Sequence, residues 1–369
     1  MTVRGLMRDV IIALVPACVA GIYFFGYRAA LLMATCVITA LLTEYACRKL
    51  MRRENTLGDL SAALTGLLLA LNLPSGLPLW QAALGTVVAI AIAKQVFGGL
   101  GYNPFNPALV GRAFLLISFT AAMTTWTPSD WRSTDAITTA TPLSAVKGAM
   151  RSAVADGDGA GVRGQGLGVS DTTTTATVKS QESDVERRLS DVESRESEVE
   201  HRASDVVVNS FLPSGIWTWR VIGKMFIGDI NGSLGETSAL ALLLGGLYLL
   251  CRRVIRWIVP VSYLLTVAIG AVVINLCYPA ALTPVWIHLF SGGLMLGAWF
   301  MATDPVTTPV TRNGMLIFGI GCGLLTLVIR MVPSGLYPEG TSFAILIMNA
   351  FAPLINKVTH PRKFGRRKK

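Results

Sequence analysis

Long apolar runs recur along most of this 369-residue chain, and they restrict its fold more than any other feature. A helix needs about 20 predominantly apolar residues to cross the hydrocarbon core of a bilayer. Ten runs approach that length, near residues 9–26, 29–47, 59–73, 79–97, 107–123, 236–250, 257–277, 284–301, 313–331 and 341–356. The third run is short and stops at Leu73-Pro74, which indicates a helix that is either broken or steeply embedded in the membrane. We predict an all-α polytopic membrane protein with about ten transmembrane helices.

The basic residues between these runs predict the orientation of the chain in the membrane. Lys and Arg are concentrated in the cytoplasmic loops of membrane proteins. One set of loops contains Arg48, Lys49, Arg52, Arg53, Arg252, Arg253, Arg256 and Arg312, whereas the alternate hairpins near 74–78, 278–283 and 332–340 contain neither Lys nor Arg. Both termini are therefore expected in the cytoplasm, with the lipid bilayer as the surroundings of the helices. Because topology explains the excess of basic residues, a nucleic-acid partner is not expected.

The distribution of apolar and charged residues divides the chain into four predicted parts. Residues 1–123 hold the first five helices, 236–356 hold the last five, and 357–369 form a basic cytoplasmic tail. The part between, 124–235, is expected outside the cytoplasm. It includes an insertion at about 149–210 with seven Lys or Arg and twelve Asp or Glu. A Gly-rich half followed by a weak seven-residue repeat predicts a flexible coil and a marginal, solvated helix, or a weak helical contact with a partner.

The cysteines give no sign of a metal site. All six lie in or beside apolar runs, and none forms a Cys-x-x-Cys or a Cys/His group with metal-ligand spacing; they are Cys18, Cys36, Cys47, Cys251, Cys277 and Cys322. We interpret them as small buried hydrophobic residues. A metal centre shared with another subunit is the alternative for one of them.

Polar residues and prolines interrupt the apolar sequence at two places. Residues 98–112 contain two Asn-Pro pairs, at Asn103 and Asn106, and residues 304–312 begin with Asp304-Pro305. Proline removes a helical hydrogen bond, so the freed carbonyls must be satisfied by protein or ligand. Broken helices of this kind line cofactor or ion pathways in many membrane proteins, and we predict that these clusters do so. Helix capping and tight turns are the alternative.

A Gly-acid-x-Ser-Ala pattern opens two of the predicted spans, at residues 58–62 and 235–239. The two starts lie on opposite predicted faces of the membrane, which favours an inverted repeat. However, one opens the third span and the other the sixth, so their positions do not correspond. Their acids, Asp59 and Glu236, are candidates for an ion pathway; complementing the helix dipole in a first turn is the alternative. Further acidic candidates are Glu44, Asp304 and Glu339.

A Thr-rich heptapeptide follows the fifth span and is repeated farther along. The first copy runs from Asp135 to Thr141 and is followed by Pro142-Leu143, and the second runs from Asp171 to Thr177 and is followed by Val178-Lys179. Both are expected outside the cytoplasm. By itself such a sequence is common in loops, so the residue pattern leaves open which copy has a function.

Five longer phrases together carry a resemblance to a known family. They are G-Y-N-P-F-N-P-A-L-V-G-R-A-F (101–114), D-A-I-T-T-A-T-P-L (135–143), G-S-L-G-E-T-S-A-L-A (232–241), M-A-T-D-P-V-T-T-P (301–309) and Y-P-E-G-T-S-F-A-I-L-I-M-N-A (337–350). In this order they resemble the D subunit of the Rnf electron transport complex and its relative, the B subunit of the sodium-translocating NADH:quinone reductase. The latter typically begins with a longer cytoplasmic extension, so the first span near residue 9 favours the Rnf protein.

The resemblance implies a ten-helix fold similar to urea and ammonium channels, and a covalent cofactor. FMN would be joined through its phosphate to the last threonine of a D-x-x-[ST]-x-A-T motif, which is Thr141, with Asp135, Thr138 and Ala140 as recognition residues. Thr139 departs mildly from the Gly or Ser common in the family. A flavin transferase acting outside the cytoplasm would be a partner. A second, non-covalent flavin, riboflavin, is implied in the membrane interior, and the candidates to line its site are Asn103, Asn106 and Asp304.

The first heptapeptide fits this family better than the second does. Pro142-Leu143 follows Thr141 as in the family, and Thr141 lies close to a span end, whereas Thr177 lies inside the charged insertion. A flavin on Thr177 would sit far from any fixed electron acceptor. We therefore predict Thr141 as the functional site, and the sequence leaves open whether Thr177 is a second, incidental acceptor.

The function that the resemblance implies is that of a redox-carrying membrane subunit. Electrons would pass through covalent FMN in a complex that couples ferredoxin and NAD⁺ chemistry to Na⁺ or H⁺ transport across the bacterial inner membrane, with the other subunits as partners. Two alternatives stay open from the sequence. One is the B subunit of the quinone reductase, and the other is a solute channel or transporter on the same fold, since fold does not fix function.

Overall fold

The computed structural model describes residues 2–126, 232–277, 285–291, 293–331 and 340–360, together with Gly223 and residues 226–228. The chain divides into two compact units, Met1–Leu143 with Thr218–Lys369, and Ser144–Trp217. The second unit lies outside the described residues, so the structure below is that of the first.

The described part of the first unit is built from α-helices. In chain order these are α1 (Val3–Phe25), α2 (Tyr27–Leu50), α3 (Ser61–Leu71), α4 (Leu79–Val87), α5 (Pro107–Ser118), α6 (Thr120–Thr124), α7 (Ala239–Cys251), α8 (Ile258–Cys277), α9 (Val285–Phe290), α10 (Leu294–Leu296), α11 (Arg312–Met331) and α12 (Thr341–Thr359). Helices α4 and α10 continue as π-helices over Val88–Gln95 and Gly297–Met301, and a 3-10 turn, Leu57–Asp59, precedes α3.

Five of these helices are long and apolar enough to cross a membrane, namely α1, α2, α8, α11 and α12. They coincide with predicted runs because each keeps an uninterrupted apolar sequence of about the length that a bilayer requires. Their outer faces expose large apolar side chains, such as Leu265, Ile269 and Leu276 on α8, as expected where a helix contacts lipid. The chain is a multi-pass, all-α membrane protein, and that prediction is confirmed.

The other apolar runs form shorter or interrupted helices whose free ends pair with one another. Helix α3 ends at Leu71, where Asn72 and Pro74 follow. Here the Gly235 amide donates to the Leu71 carbonyl at 2.6 Å, and the Leu234 amide donates to the Leu73 carbonyl at 3.1 Å. An isolated antiparallel bridge joins Pro74 to Ser233. These bonds satisfy backbone groups that could find no partner in hydrocarbon.

The predicted span at 284–301 is also broken. Helix α9 ends at Phe290, and α10 begins only after Gly293, which has a positive φ of 66°. Glycine tolerates this left-handed conformation because it has no Cβ. The break brings polar backbone into the interior beside the ends of α3 and α7.

Small residues set the closest contacts between helices. A Cβ at Gly66 of α3 would lie 2.7 Å from the Cys36 carbonyl of α2, and one at Gly111 of α5 would lie 2.8 Å from the Gly85 carbonyl of α4. On the other half, a Cβ at Gly323 of α11 would lie 2.6 Å from Thr266 of α8. In lipid, helices associate through close backbone packing. The lipid tails are as apolar as the side chains, so no hydrophobic effect drives the helices together. The tightly packed helices hold the polar residues of the interior in fixed positions.

Candidate functional site

The structure gathers Asn103, Asn106 and Asp304 around one cavity of about 70 Å³. Other polar residues on its wall are Ser61, Thr65, Lys94 and Thr303, and the rest is mainly apolar. The two interruptions that the sequence shows, about 200 residues apart, thus meet at one place in the fold.

The loop before α5 positions the two asparagines. Gly98, Gly99 and Gly101 all have positive φ, which lets the chain leave α4 and turn back sharply. Asn106 then caps α5: its Oδ1 accepts from the Ala108 amide at 3.1 Å, as is typical of an N-cap before proline at the first helical position. Asn103 donates from Nδ2 to the Phe105 carbonyl at 3.0 Å.

Asn103 keeps an acceptor that the described residues do not use. Its side chain lines the cavity and is 5% exposed, and its Oδ1 is buried without a hydrogen-bond partner among the described residues. A buried amide oxygen of this kind costs free energy unless a ligand, an ion or water fills the position.

Asp304 also lines the cavity and lies in the turn after the π-helix Gly297–Met301. Its carboxylate accepts from the Val306 amide at 3.2 Å and from the Thr307 hydroxyl at 3.4 Å. Both donors are neutral and both bonds are long for an ionised acceptor. The carboxylate therefore has capacity left for a cation or a further donor.

The cavity is small for a flavin. Pockets that bury a drug-sized ligand usually measure roughly 300–1,000 Å³. The cavity of about 70 Å³ has room for a few water molecules or an ion. The riboflavin site at Asn103, Asn106 and Asp304 stays a prediction, and it requires side chains of the wall to move.

Asp59 has the capping role that the sequence left as the alternative. Its Oδ1 accepts from the Ser61 amide at 2.8 Å and from the Ser61 hydroxyl at 2.6 Å, and so it fixes the first residue of α3. Between them Leu60 has a positive φ of 65°, which marks a tight turn. Ser61 in turn connects this cap to the interior of the protein.

Lys94 is the residue that the sequence reasoning missed. It lies in the π-helical end of α4, is 1% exposed, and its Nζ contacts Glu44 Oε2 of α2 at 2.8 Å and Ser61 Oγ at 2.6 Å. Glu44 is 0% exposed, and its other oxygen accepts from the Thr56 hydroxyl at 2.7 Å. A lone lysine inside an apolar run was the available signal, since such a residue needs a buried partner.

Glu236 belongs to a separate cluster between the broken helices. The Arg112 guanidinium lies 3.7 Å from Glu236 Oε1, and its Nη1 donates to Asn72 Oδ1 at 2.6 Å. A Cβ at Gly293 would lie 3.0 Å from Glu236 Oε1, so the break after α9 lies against the same carboxylate. The structure does not bring Asp59 and Glu236 into one site.

Arg330, near the end of α11, satisfies the end of another broken helix. It is 3% exposed and donates to the His288 carbonyl at 2.6 Å and to the Ser291 carbonyl at 3.0 Å. A planar guanidinium can serve two carbonyls at once, which suits the last turn of a short helix such as α9.

The remaining predicted site residues fall outside the described residues. These are Asp135, Thr138, Ala140 and Thr141 of the first heptapeptide, Thr177 of the second, and Glu339. Among the residues that the structure does describe, no group of three His, Cys, Asp or Glu side chains is arranged to hold a metal ion.

Comparisons with known proteins extend over the whole chain. The profile of the NQR2, RnfD, RnfE family matches residues 1–365. The D subunit of the Na⁺-translocating ferredoxin:NAD⁺ oxidoreductase complex of Acetobacterium woodii is 40% identical over 365 residues, which cover 98% of this chain and 90% of the relative.

Two further relatives are as similar. The D subunit of the proton-translocating ferredoxin:NAD⁺ oxidoreductase complex of Clostridium ljungdahlii is 39% identical over 372 residues, covering 100% of this chain and 93% of the relative. The D subunit of an ion-translocating oxidoreductase complex of Stutzerimonas stutzeri is 40% identical over 368 residues, which cover 99% of this chain and 93% of the relative. The predicted resemblance is confirmed, and the chain belongs to the NQR2, RnfD, RnfE family.

Proposed function

We propose that this chain is the D subunit of an Rnf-type ion-translocating ferredoxin:NAD⁺ oxidoreductase complex in a bacterial inner membrane. The observation that carries the proposal is end-to-end similarity: three D subunits of such complexes are 39–40% identical to it over 98–100% of its length. Its partners are the other subunits of the complex. It acts as a redox-carrying subunit of this ion-translocating oxidoreductase complex.

The proposed cofactor is FMN, attached to the Thr141 hydroxyl through a phosphoester. The D-x-x-[ST]-x-A-T pattern supports this, with Asp135, Thr138 and Ala140 in the positions that a flavin transferase would read. A threonine hydroxyl has the chemistry that a phosphoester requires. When bound, FMN supplies the redox chemistry, and the tether keeps it at high effective concentration beside the membrane.

The proposed membrane architecture has ten crossings, with both termini in the cytoplasm and residues 124–235 outside it. The positive residues of the loops support this orientation. An inverted repeat like that of urea and ammonium channels is part of the proposal. Corresponding helices of the two halves make the same contacts. In the first half α4 packs against α2 and α5, and in the second half α11 packs against α8 and α12.

The buried cations support the same pairing of the two halves. Lys94 in the last turn of the π-helix Val88–Gln95 contacts Ser61 at the start of α3, and Arg330 in the last turn of α11 contacts Ser291 at the break before α10. This pairing matches the third span with the eighth. It replaces the pairing of the third span with the sixth that the Gly-acid-x-Ser-Ala pattern favours.

The transported ion is a small cation, and Asp59 and Glu236 are proposed to lie along its path. Similarity does not choose between Na⁺ and H⁺, because a protein of a Na⁺-translocating complex and one of a proton-translocating complex are 40% and 39% identical to this chain. A second flavin, riboflavin, is proposed near Asn103, Asn106 and Asp304 once the cavity wall has opened.

Mass spectrometry of tryptic peptides tests the proposed function. The full chain is produced with the flavin transferase and digested, and a peptide carrying FMN on Thr141 is expected. A flavin on Thr177 alone would contradict the proposed site. Absence of any covalent flavin, together with solute uptake by the purified chain, would favour a channel or transporter. Quinone-dependent turnover would favour the B subunit of the quinone reductase.

A further inference from the structure

Lys94 is a buried cation with a buried acidic partner. Its ammonium is held by Glu44 Oε2 at 2.8 Å and by Ser61 Oγ at 2.6 Å, and the same side chain lines the cavity that Asp304 also lines. Lysine is a compact charge on a flexible stem with three rotatable donors, so it can exchange one set of acceptors for another.

Glu44 cannot lose its cation without a replacement. It is 0% exposed, and apart from Lys94 its hydrogen-bond partner among the described residues is the neutral hydroxyl of Thr56. An uncompensated carboxylate at such a position is strongly unfavourable. If the ammonium leaves, another positive charge must therefore arrive at Glu44.

Asp304 offers the ammonium a second position. Its carboxylate is bonded by two neutral donors at 3.2 and 3.4 Å in the described structure. Lys94 and Asp304 share the cavity of about 70 Å³. One ammonium thus has two candidate counter-ions, Glu44, which holds it in this structure, and Asp304, which lines the same cavity.

A third group in the cavity points independently to a ligand. Asn103 lines the cavity and is only 5% exposed. Its Oδ1 is buried and has no hydrogen-bond partner among the described residues. Amide and hydroxyl oxygens beside a carboxylate are the groups that replace the hydration shell of a monovalent cation.

A route from the surface reaches this place. Asp59, which is half-buried on the predicted cytoplasmic side, accepts from the Ser61 hydroxyl at 2.6 Å, and that hydroxyl accepts from Lys94. A continuous chain of polar groups therefore leads from Asp59 through Ser61 to Lys94 and Glu44.

We propose that Lys94 is the resident cation of an ion site formed by Glu44 and Ser61, and that it exchanges there with a small monovalent cation, Na⁺ or H⁺. In this structure the ammonium fills the site. Its transfer towards Asp304 and the arrival of the transported cation at Glu44 are coupled one to one, because the buried carboxylate must stay compensated. The proposal rests on the proposed role of the chain in ion translocation.

If the Lys94 ammonium is removed, a cation from solution should bind in its place, and the stability of the variant should then depend on which cation is present. The full-length Lys94→Met variant is purified in detergent, and its thermal transition is compared in NaCl, KCl and choline chloride at equal ionic strength. The matched control is the double variant Lys94→Met/Glu44→Gln, which lacks both charges. The wild-type chain should unfold at the same temperature in all three salts, because Lys94 already fills the site.

In Lys94→Met, we expect the midpoint to rise by roughly 3 °C or more in NaCl relative to choline chloride, because ligand binding to the folded state stabilises it. The double variant should show no such rise. If mild acid replaces NaCl in stabilising Lys94→Met, the cation is a proton, and the site is also supported. Equal midpoints in every salt and at every pH, or the same dependence in the double variant, would overturn the proposal.

A second variant covers the case in which Lys94→Met does not fold. Asp304→Asn keeps the side-chain shape but removes the charge that draws Lys94 away from Glu44. In proteoliposomes with the complete complex, cation uptake per electron transferred should fall about tenfold, since the ammonium has lost its second counter-ion. Unchanged uptake would refute the exchange. Covalent FMN on the denatured chain is measured in the same samples, so that a missing flavin, which would contradict the proposed function, is distinguished from a failed exchange.

Discussion

Arg112 and Glu236 form a buried ion pair between α5 and the segment that leads into α7, with Arg112 Nη2 3.7 Å from Glu236 Oε1 and both side chains under 5% exposed. Arg112 comes from the first half of the chain and Glu236 from the second. The pair therefore connects the two halves near the place where α3 and α9 end and α7 begins, and the neutral side chain of Asn72 accepts a hydrogen bond from the same guanidinium.

Breaking this pair should destabilise the protein strongly. Arg112→Met leaves a buried carboxylate without its cation, and the free energy of unfolding should fall by about 3–5 kcal/mol. In Arg112→Met/Glu236→Gln the loss should be smaller than the sum of the single losses, because no uncompensated charge remains. Equilibrium unfolding in mixed micelles measures these values.

The control for this pair is Arg8→Ala. Arg8 is 63% exposed and 4.0 Å from the Asp9 carboxylate, so its removal should change the free energy by less than about 0.5 kcal/mol. If Arg8→Ala and Arg112→Met lowered the free energy of unfolding equally, burial would not determine how much each ion pair contributes to stability.

Gly245 should tolerate no side chain. A Cβ there would overlap the Ala13 carbonyl oxygen of α1, and backbone cannot move aside as a flexible side chain can. Gly245→Ala gains about 1 kcal/mol of helix propensity. The clash outweighs this gain, and we expect a net loss of about 1–3 kcal/mol in the free energy of unfolding.

Gly58→Ala is the matched control for Gly245→Ala. Nothing lies within 4 Å of a Cβ built at Gly58, and its φ is not positive. Its thermal midpoint should equal that of the wild-type chain. A stabilised Gly245→Ala would mean that α1 and α7 are packed less closely than the structure shows.

Much of the fold can be predicted from the sequence, but the interior of the site cannot. Runs such as that of α1 predict helices because length and apolarity alone determine a membrane crossing. The breaks depend on partners: α3 stops where Leu71 and Leu73 bond to Leu234 and Gly235, which lie more than 160 residues away in the sequence.

The site shows the same limit. The sequence predicts that Asn103 and Asp304 line a pathway, because polar residues and prolines interrupt an apolar pattern at both places. That they share a cavity, and that Lys94 reaches Glu44 over 50 residues of sequence, follows only from how α2, α3 and α4 pack. The periodicity of the sequence does not predict which distant residues contact one another.

Replacing Arg52 with glycine should stabilise the protein. Arg52 has a positive φ of 52° and follows Met51, the C-cap of α2; its amide donates to the Lys49 carbonyl at 3.2 Å, and the Arg53 amide donates to the Arg48 carbonyl at 3.0 Å. This is the helix end at which glycine is preferred, and the left-handed conformation costs other residues about 1–2 kcal/mol. Arg52→Gly should raise the free energy of unfolding by about 1 kcal/mol, because part of that cost is offset by the greater freedom of glycine in the unfolded chain.

Its neighbour provides the comparison. Arg53 has no positive φ, so Arg53→Gly removes no strain and should lower the free energy of unfolding by about 0.5–1 kcal/mol. Thermal unfolding of both variants in detergent is the measurement. A loss of similar size in both would contradict a strained backbone at Arg52.

Covalent flavin should depend on the Thr141 hydroxyl and not on that of Thr177. Thr141→Ala removes the atom that would form the phosphoester, so in-gel flavin fluorescence of the denatured chain should fall to background when it is produced with the transferase. Thr141→Ser keeps a hydroxyl at the same position and should retain a substantial part of the signal. Thr177→Ala is the matched control and should retain most of it, because Thr177 is followed by Val178-Lys179 and lies within the charged insertion. Persistent fluorescence in Thr141→Ala that disappears in Thr141→Ala/Thr177→Ala would instead assign the attachment to the second heptapeptide.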